Sequence, residues 1–227
     1  DQPYQQSASK GYEADGLLYL KSGSKEQNIL AKQGDDLRID WGYFYMVAGK
    51  ENTAYSVGNS TELRKNFVNG TLNSASLEGE DSNGNMALVR SHGKVKNVTD
   101  KIMLGYDDIY SIQYFGTNLR PYWNSKGDRT IEAEMLAAYN EYDKLLARCY
   151  AFDKKLMEDA SAAGGKEYAE LCALAYRQSI AAHKLVEAPN GDLLWLSKEN
   201  NSNGCINTVD LTYPSAPLYL IYNPELE

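Results

Sequence analysis

Hydrophobic and polar positions change their spacing near residue 120, and this change divides the chain into two kinds of predicted structure. In the first part, short apolar runs such as Gly16–Leu20 and Asn85–Arg90 are separated by clusters of Gly, Asn, Ser and Asp that are typical of turns. Residues 37–41 alternate between apolar and polar, which is the period of a half-buried strand. We therefore predict a β-rich domain over residues 1–120, formed by the later part of a larger antiparallel β-sandwich.

In the second part, apolar residues recur every three or four positions, which is the period of an α-helix. This spacing predicts a long helix over residues 131–159, which Asp128 or Thr130 can cap and which the segment Ala162–Gly165 ends. A second helix is predicted over residues 166–187. Because the connecting loop is short, the two helices should pack antiparallel as an αα-hairpin.

The last segment is predicted to contain a short strand at Leu193–Leu196, a polar loop and the start of a third helix. Pro217 suits the first turn of that helix, because its ring fixes φ and its missing N–H would have no partner there. Only a short apolar run follows, and such a helix buries little surface alone. The predicted fold class is α+β. Residues 121–227 would then hold the first hairpin and the next helix start of a truncated α/α toroid with six hairpins.

Composition and charge exclude several classes of function. The chain has 227 residues, of which 43% are hydrophobic, so it is long enough to bury a core. Its 31 acidic residues outnumber 23 basic ones, giving a net charge of −8, which argues against a nucleic-acid partner. No apolar run approaches the roughly 18 residues of a membrane span. We expect the chain to be soluble as given, and to be a fragment of a larger protein.

The cysteines give no sign of a metal site. Cys149, Cys172 and Cys205 match no zinc-ligand spacing, and only His92 and His183 could supplement them. Neither a metal nor an organic cofactor is predicted. Cys149 and Cys172 lie at similar distances from the loop between the two predicted helices. We favour buried free thiols over a disulfide between them, because free cysteine is a common core residue.

Several segments resemble the glutaminase A-like family. They are Gly34–Tyr43, Tyr106–Phe115, Ala175–Gln178, Ser197–Glu199 and Asn207–Leu226. The last segment is the most specific. The resemblance implies a β-rich N-terminal domain followed by a glycosidase-like toroid of six helical hairpins, and an activity that hydrolyses L-glutamine to L-glutamate and ammonia. We expect the parent protein to be secreted or to lie in the periplasm or cell envelope, and this fragment to be inactive alone.

Amide hydrolysis without a nucleophilic triad needs a base to activate water, an acid to protonate the leaving ammonia, and donors that stabilise the oxyanion. Asp210 and Glu199 are the candidates for acid and base, because both lie in segments predicted to lead into helices. Asp210 could instead cap a helix or turn. Glu199 could instead be a solvated charge beside Lys198.

The candidate substrate-binding residues are Arg177, Gln178, Asn207, Tyr213 and Trp195. Arg177 could bind the α-carboxylate of an amino acid bidentately, although such an arginine more often ties loops to its helix. Asn207 could orient the substrate or close a turn. Trp195 is more often a core residue than a ligand contact.

Two other functions stay open from the sequence. The parent could be a six-hairpin glycoside hydrolase or another carbohydrate-active enzyme, with Asp210 or Glu199 as its catalytic carboxylate. It could also be a binding or scaffold module without chemistry. The expected partners are a small molecule, either glutamine or a sugar, and the rest of the parent chain. A homodimer is an alternative way to cover the apolar helical face that a truncated toroid would expose.

Overall fold

The computed structural model describes residues 7–31, 41–72, 78–79, 85–198 and 204–227, and the chain divides into two compact units. The first comprises Asp1–Ile29, Ile39–Ile109 and Arg129–Tyr139. The second comprises Leu30–Arg38, Tyr110–Asp128 and Asn140–Glu227. Both contain helices and antiparallel strands, in agreement with the predicted mixture of α and β structure. Residues 37–40 of the strand predicted at residues 37–41 lie outside the described residues, and the domain boundary near residue 120 stays a prediction.

The first unit contains a five-stranded antiparallel sheet in the order β5-β1-β2-β3-β7. Its strands are β1 (Ser7–Ala14), β2 (Leu17–Ser24), β3 (Tyr43–Gly49), β5 (Glu78–Gly79) and β7 (Met103–Asp107). A separate two-stranded sheet pairs β4 (Thr53–Val57) with β6 (Met86–Arg90), and helix α1 (Ser60–Val68) lies between them in the chain. The Asn59 side chain caps α1 by accepting from the N–H groups of Thr61 and Glu62.

The two faces of β2 are covered by different elements of the same unit. On one face, Leu17 and Tyr19 pack with β3 and with Met135 of helix α2 (Ile131–Asn140). On the other face, Leu18 and Leu20 pack with residues of β4. Because both faces are buried, β2 begins with a continuous apolar run rather than with alternation. These contacts fix the antiparallel sheet, and the larger sandwich stays a prediction.

Helix α2 begins as the sequence predicts but ends much earlier. Thr130 Oγ1 accepts a hydrogen bond from the Ala133 N–H at 3.2 Å, so Thr130 caps the helix. The predicted helix over residues 131–159 is wrong in its continuity, because α2 ends at Asn140 and helix α3 (Tyr142–Ala181) starts after Glu141. Glu141 has φ −93° and ψ 4°, outside the helical range. The two helices pack in different units, which explains why the helical segment is interrupted although it contains no Gly or Pro at this point.

Helix α3 contains a sharp reversal at Gly165, whose φ is 84° and ψ −177°. Glycine adopts this conformation readily because it has no Cβ. The reversal separates two arms, residues 142–164 and 166–181. The arms contact each other through Phe152 and Tyr176, whose ring centroids lie 4.9 Å apart. The two predicted helices therefore meet as a hairpin.

The second arm ends earlier than predicted. Residues 183–187 are not helical: they form β10 (His183–Glu187), which pairs antiparallel with β11 (Leu193–Ser197). The strand predicted at Leu193–Leu196 is thereby confirmed. The periodicity extended the helix too far because Val186 fits the apolar face of a helix and the buried face of a strand equally well.

The remaining elements of the second unit are β8 (Ile112–Tyr114), β9 (Thr117–Leu119), a short 3₁₀ helix at Tyr122–Asn124, and helix α4 (Val209–Tyr222). The predicted position of Pro217 in a first helical turn is wrong, because α4 begins at Val209 and contains both Pro214 and Pro217. In the described part of the chain, none of the helices has the length and apolar character needed to cross a membrane.

Cys149 and Cys172 form no disulfide, as favoured from the sequence, but their predicted burial is wrong for Cys149 and only partly met by Cys172. Cys149 and Cys205 are exposed, and Cys172 is partly buried.

Candidate functional site

A cavity of about 510 Å³ lies within the second unit. Its walls come from the end of α3, the β10–β11 hairpin and α4. Polar groups are supplied by Gln178, Ser179, His183, Ser197 and Ser215, and the apolar lining includes Leu211 and Leu218. A cavity with a few polar groups among apolar walls is the usual form of a small-molecule site.

Helical spacing places the α3 side chains on one side of the cavity. Ala175, Gln178, Ser179 and Ala182 follow each other at intervals of three, one and three residues, so they share one helix face. The neighbouring Arg177 is exposed and does not line the cavity.

The β10–β11 hairpin presents two chemically different faces, because side chains alternate along a strand. Val186, Leu194 and Leu196 lie on one face and pack with Ile112 and Leu119 of β8 and β9. The opposite face carries His183, Trp195 and Ser197, and the first and last of these are direct cross-strand partners. The apolar face thus fixes the hairpin, and the other face brings polar groups to the cavity.

His183 is held by contacts from three elements. Its Nδ1 lies 2.6 Å from the carbonyl oxygen of Ser179 and 3.1 Å from the hydroxyl of Tyr219. Tyr219 is 3% exposed, and its hydroxyl also lies 2.7 Å from Ser179 Oγ. The imidazole stacks on Trp195, with ring centroids 5.0 Å apart and an angle of 12° between the planes. The ring therefore has a defined position and orientation.

A second hydrogen-bond chain fixes Ser197. The Thr212 hydroxyl donates to Asn207 Oδ1 at 3.2 Å, so the Ser197 hydroxyl, 3.0 Å from Thr212 Oγ1, is the donor in that contact. The Asn207 N–H in turn donates to the Ser197 carbonyl oxygen at 2.8 Å. Asn207 has a φ of 55°, which an asparagine tolerates better than most residues. The side-chain amide oxygen and the backbone N–H of Asn207 both form hydrogen bonds that stabilise this turn.

The structure brings only some of the predicted site residues together. Gln178 lines the cavity, Trp195 supports His183, and Asn207 supports Ser197. Asp210 is exposed in the first turn of α4 and does not line the cavity, and Tyr213 is 80% exposed. Glu199 lies outside the described residues.

The sequence reasoning missed His183, Ser179, Ser197 and Tyr219 as parts of a site. The sequence suggests His183 only as a possible zinc ligand, and it predicts a helix end where the structure has strand β10. One signal was present: Pro189–Gly191 is a turn sequence between two short apolar segments, which is a hairpin pattern. That pattern would have paired His183 with Ser197.

Two further observations describe the surroundings. Within the described residues, Trp195 Nε1 and Thr208 Oγ1 are buried polar atoms without a hydrogen-bond partner. The same part of the chain contains no group of three or more His, Cys, Asp or Glu side chains placed to hold a metal ion.

Comparison with known families accounts for nearly the whole chain. Residues 1–159 match a family described as a domain of unknown function (DUF5127). Residues 165–227, which include all the described residues that line the cavity, match the glutaminase A six helical-hairpin domain. The chain belongs to the glutaminase A-like family.

Two curated relatives agree with this family assignment. The chain is 28% identical over 232 residues to a protein named Glutaminase A from Aspergillus oryzae (strain ATCC 42149 / RIB 40), covering 95% of this chain and 32% of that relative. It is 25% identical over 233 residues to a protein named Probable glutaminase from Arthroderma benhamiae (strain ATCC MYA-4681 / CBS 112371), covering 91% and 26%. The chain thus spans a third or less of each relative's length. No solved structure matches the chain.

Proposed function

We propose that this chain is part of a glutaminase A-like amidohydrolase that converts L-glutamine and water to L-glutamate and ammonia. The observation that carries the proposal is that the segment matching the glutaminase A six helical-hairpin domain folds around the cavity of about 510 Å³. The hydroxyl and amide groups of this cavity suit the uncharged side-chain amide of glutamine, because they can donate to its oxygen and accept from its nitrogen.

Gln178 is the first residue proposed for substrate contact, because it lines the cavity. Arg177 stays a proposal for the α-carboxylate, although it is exposed beside the cavity. Asp210 and Glu199 are the acid and base that the sequence suggests, and they stay proposed as carboxylates of the site. Asp210 precedes Leu211, which lines the cavity, so its carboxylate lies on the helix that forms this wall.

The complete site is proposed to need the rest of the parent protein. Several apolar side chains on the helices of the second unit are exposed, including Leu171, Leu174, Val209 and Ile221. We propose that further helical hairpins of an α/α toroid cover this surface, with a second copy of the chain as the alternative. The 227-residue chain alone is then expected to release no ammonia from L-glutamine.

The test is an assay of the full-length protein for equimolar ammonia and L-glutamate release from L-glutamine, beside an assay of sugar release from an oligosaccharide panel. Gln178→Ala is expected to raise KM for glutamine about tenfold, because one hydrogen bond to the substrate is lost. Gln113→Ala is the matched control and should leave KM unchanged, because this exposed glutamine does not line the cavity. Cleavage of an oligosaccharide with glutamine untouched would refute the glutaminase proposal in favour of a glycoside hydrolase.

A further inference from the structure

The contacts of His183 determine which of its ring nitrogens carries the proton. A carbonyl oxygen can only accept a hydrogen bond, and that of Ser179 lies 2.6 Å from Nδ1. Nδ1 therefore bears a hydrogen. In the neutral ring, Nε2 is then the unprotonated nitrogen and the site of proton uptake.

The groups around the ring keep it in this state. The hydroxyl oxygen of Tyr219 in α4 lies 3.1 Å from Nδ1. It can accept a second hydrogen bond from the same Nδ1–H that donates to the Ser179 carbonyl oxygen of α3. The same hydroxyl can then donate to Ser179 Oγ at 2.7 Å. From β11, the indole of Trp195 lies against the imidazole face. Of these three contacts, Tyr219 alone has a titratable side chain.

We propose that His183, in place of Asp210 and Glu199, is the proton-transfer residue of this cavity, a role that rests on the proposed amide hydrolysis. Nε2 takes a proton from water as the water oxygen bonds to the amide carbon. It returns that proton to the amide nitrogen as the carbon–nitrogen bond breaks and ammonia leaves. The water oxygen remains in the new carboxyl group with its second hydrogen, which then dissociates. The imidazole ends neutral, with Nδ1–H still bound to the Ser179 carbonyl.

The other histidine of the chain provides an internal contrast. His92, in the first unit, has its Nε2 3.0 Å from Asp100 Oδ2, and the same carboxylate binds Arg90. Its Nε2 therefore already contacts a carboxylate. His183 combines a hydrogen-bonded Nδ1 with a place in the lining of a cavity.

The decisive experiment uses the full-length protein. His183→Asn retains a donor for the Ser179 carbonyl but has no second ring nitrogen, so kcat for L-glutamine should fall about 10²- to 10⁴-fold with KM little changed. The acidic limb of the pH–rate profile should disappear. Added imidazole should restore part of the rate of His183→Ala, which a merely structural role would not allow. His92→Asn should retain the wild-type profile.

The possible failures can be told apart. If wild type releases no ammonia from glutamine, both the proposed function and this inference fail. If wild type is active and His183→Asn keeps both its rate and its pH profile, only this inference fails. If neither His183 variant folds, Tyr219→Phe replaces them: a kcat loss of about tenfold with an altered acidic limb supports the role, and an unchanged profile overturns it. Nitrogen NMR of the wild type would also overturn it by placing the neutral-ring proton on Nε2.

Discussion

The eight-residue strand β2 buries more of the apolar core than the forty-residue helix α3. In β2 the four consecutive residues Leu17–Leu20 are buried, whereas only Leu156 and Ala169 are buried along the whole of α3. The difference follows from what covers each element. Helix α2 and strand β4 cover the two faces of β2 within the first unit. Each arm of α3 has contacts on one side and apolar side chains exposed on others.

The second unit differs from the core around β2 because it offers an apolar helical surface and a cavity to other molecules. In the first unit, charged groups such as Arg90 and Asp100 pair with each other. The second unit directs hydroxyl, amide and imidazole groups into a cavity. The proposed chemistry and the proposed contacts with the parent chain therefore both belong to the second unit.

The largest expected effect is the difference in free energy of unfolding between alanine substitutions at two leucines of the 227-residue chain. Leu20 is fully buried, and Leu20→Ala should lower the free energy of unfolding by about 2–5 kcal/mol through lost packing and a cavity. Leu171 is 62% exposed, and Leu171→Ala should change it by no more than about 0.5 kcal/mol. Urea denaturation measures both. In the full-length protein, Leu171→Ala should become clearly destabilising. Equal effects of the two substitutions in the short chain would contradict the contrast.

The next effect concerns the arginine network of the first unit. The Arg90 guanidinium donates to the carbonyl oxygens of Gly49 and Glu51 at 2.6 and 2.8 Å, and to both oxygens of Asp100. Arg90→Lys cannot reproduce this fork and should lower the free energy of unfolding by about 1–3 kcal/mol. The control Arg129→Lys alters an exposed pair with Glu134 and should change the free energy of unfolding by less than about 0.5 kcal/mol.

Acid titration of the same network sharpens this prediction. The hydrogen bonds from Arg90 hold the pKa of Asp100 below its usual range. A carboxyl whose pKa is lower in the folded state stabilises the fold above its unfolded pKa of about 4, and that contribution is lost as the pH falls through the folded pKa. Asp100→Asn should therefore reduce the loss of stability on acidification. An unchanged acid dependence would show that the pair does not couple to folding.

The smallest expected effect appears only in alkaline solution and comes from tyrosines of the first unit. Burial raises the pKa of Tyr12, Tyr19 and Tyr45, and the Tyr12 hydroxyl also donates to Glu132 Oε1 at 2.5 Å. Because the folded pKa lies above the unfolded value of about 10, stability is fully present below pH 10 and falls as the pH rises further. Unfolding measured against pH should show this decline, and Tyr12→Phe should lessen it. The same decline in Tyr12→Phe as in wild type would exclude Tyr12 as a source.

Local sequence patterns predicted elements correctly where only one type of secondary structure fitted the pattern. Thr130 and the Ala162–Gly165 segment marked helix limits correctly, because capping and left-handed turns depend on individual residue types. The strand at Leu193–Leu196 was similarly clear. The site was harder to predict. Gln178 was identified, but His183 was hidden because its segment satisfied helical and strand periods at once.

The remaining errors have tertiary causes. The interruption at Glu141 reflects the packing of α2 and α3 in different units, and the local sequence carries no helix breaker there. In α4, two prolines inside a helix contradict the usual placement of proline in the first turn. Each removes an N–H donor to the carbonyl four residues earlier, so the packing of α4 must offset that loss.

The central claim, that the cavity of the second unit binds the substrate, is tested most directly by a structure of the full-length protein with L-glutamate bound. The account predicts the ligand in the cavity, its side-chain carboxylate within hydrogen-bond distance of His183 Nε2 and in contact with Gln178. L-Glutamate bound elsewhere, with the cavity empty, would contradict it.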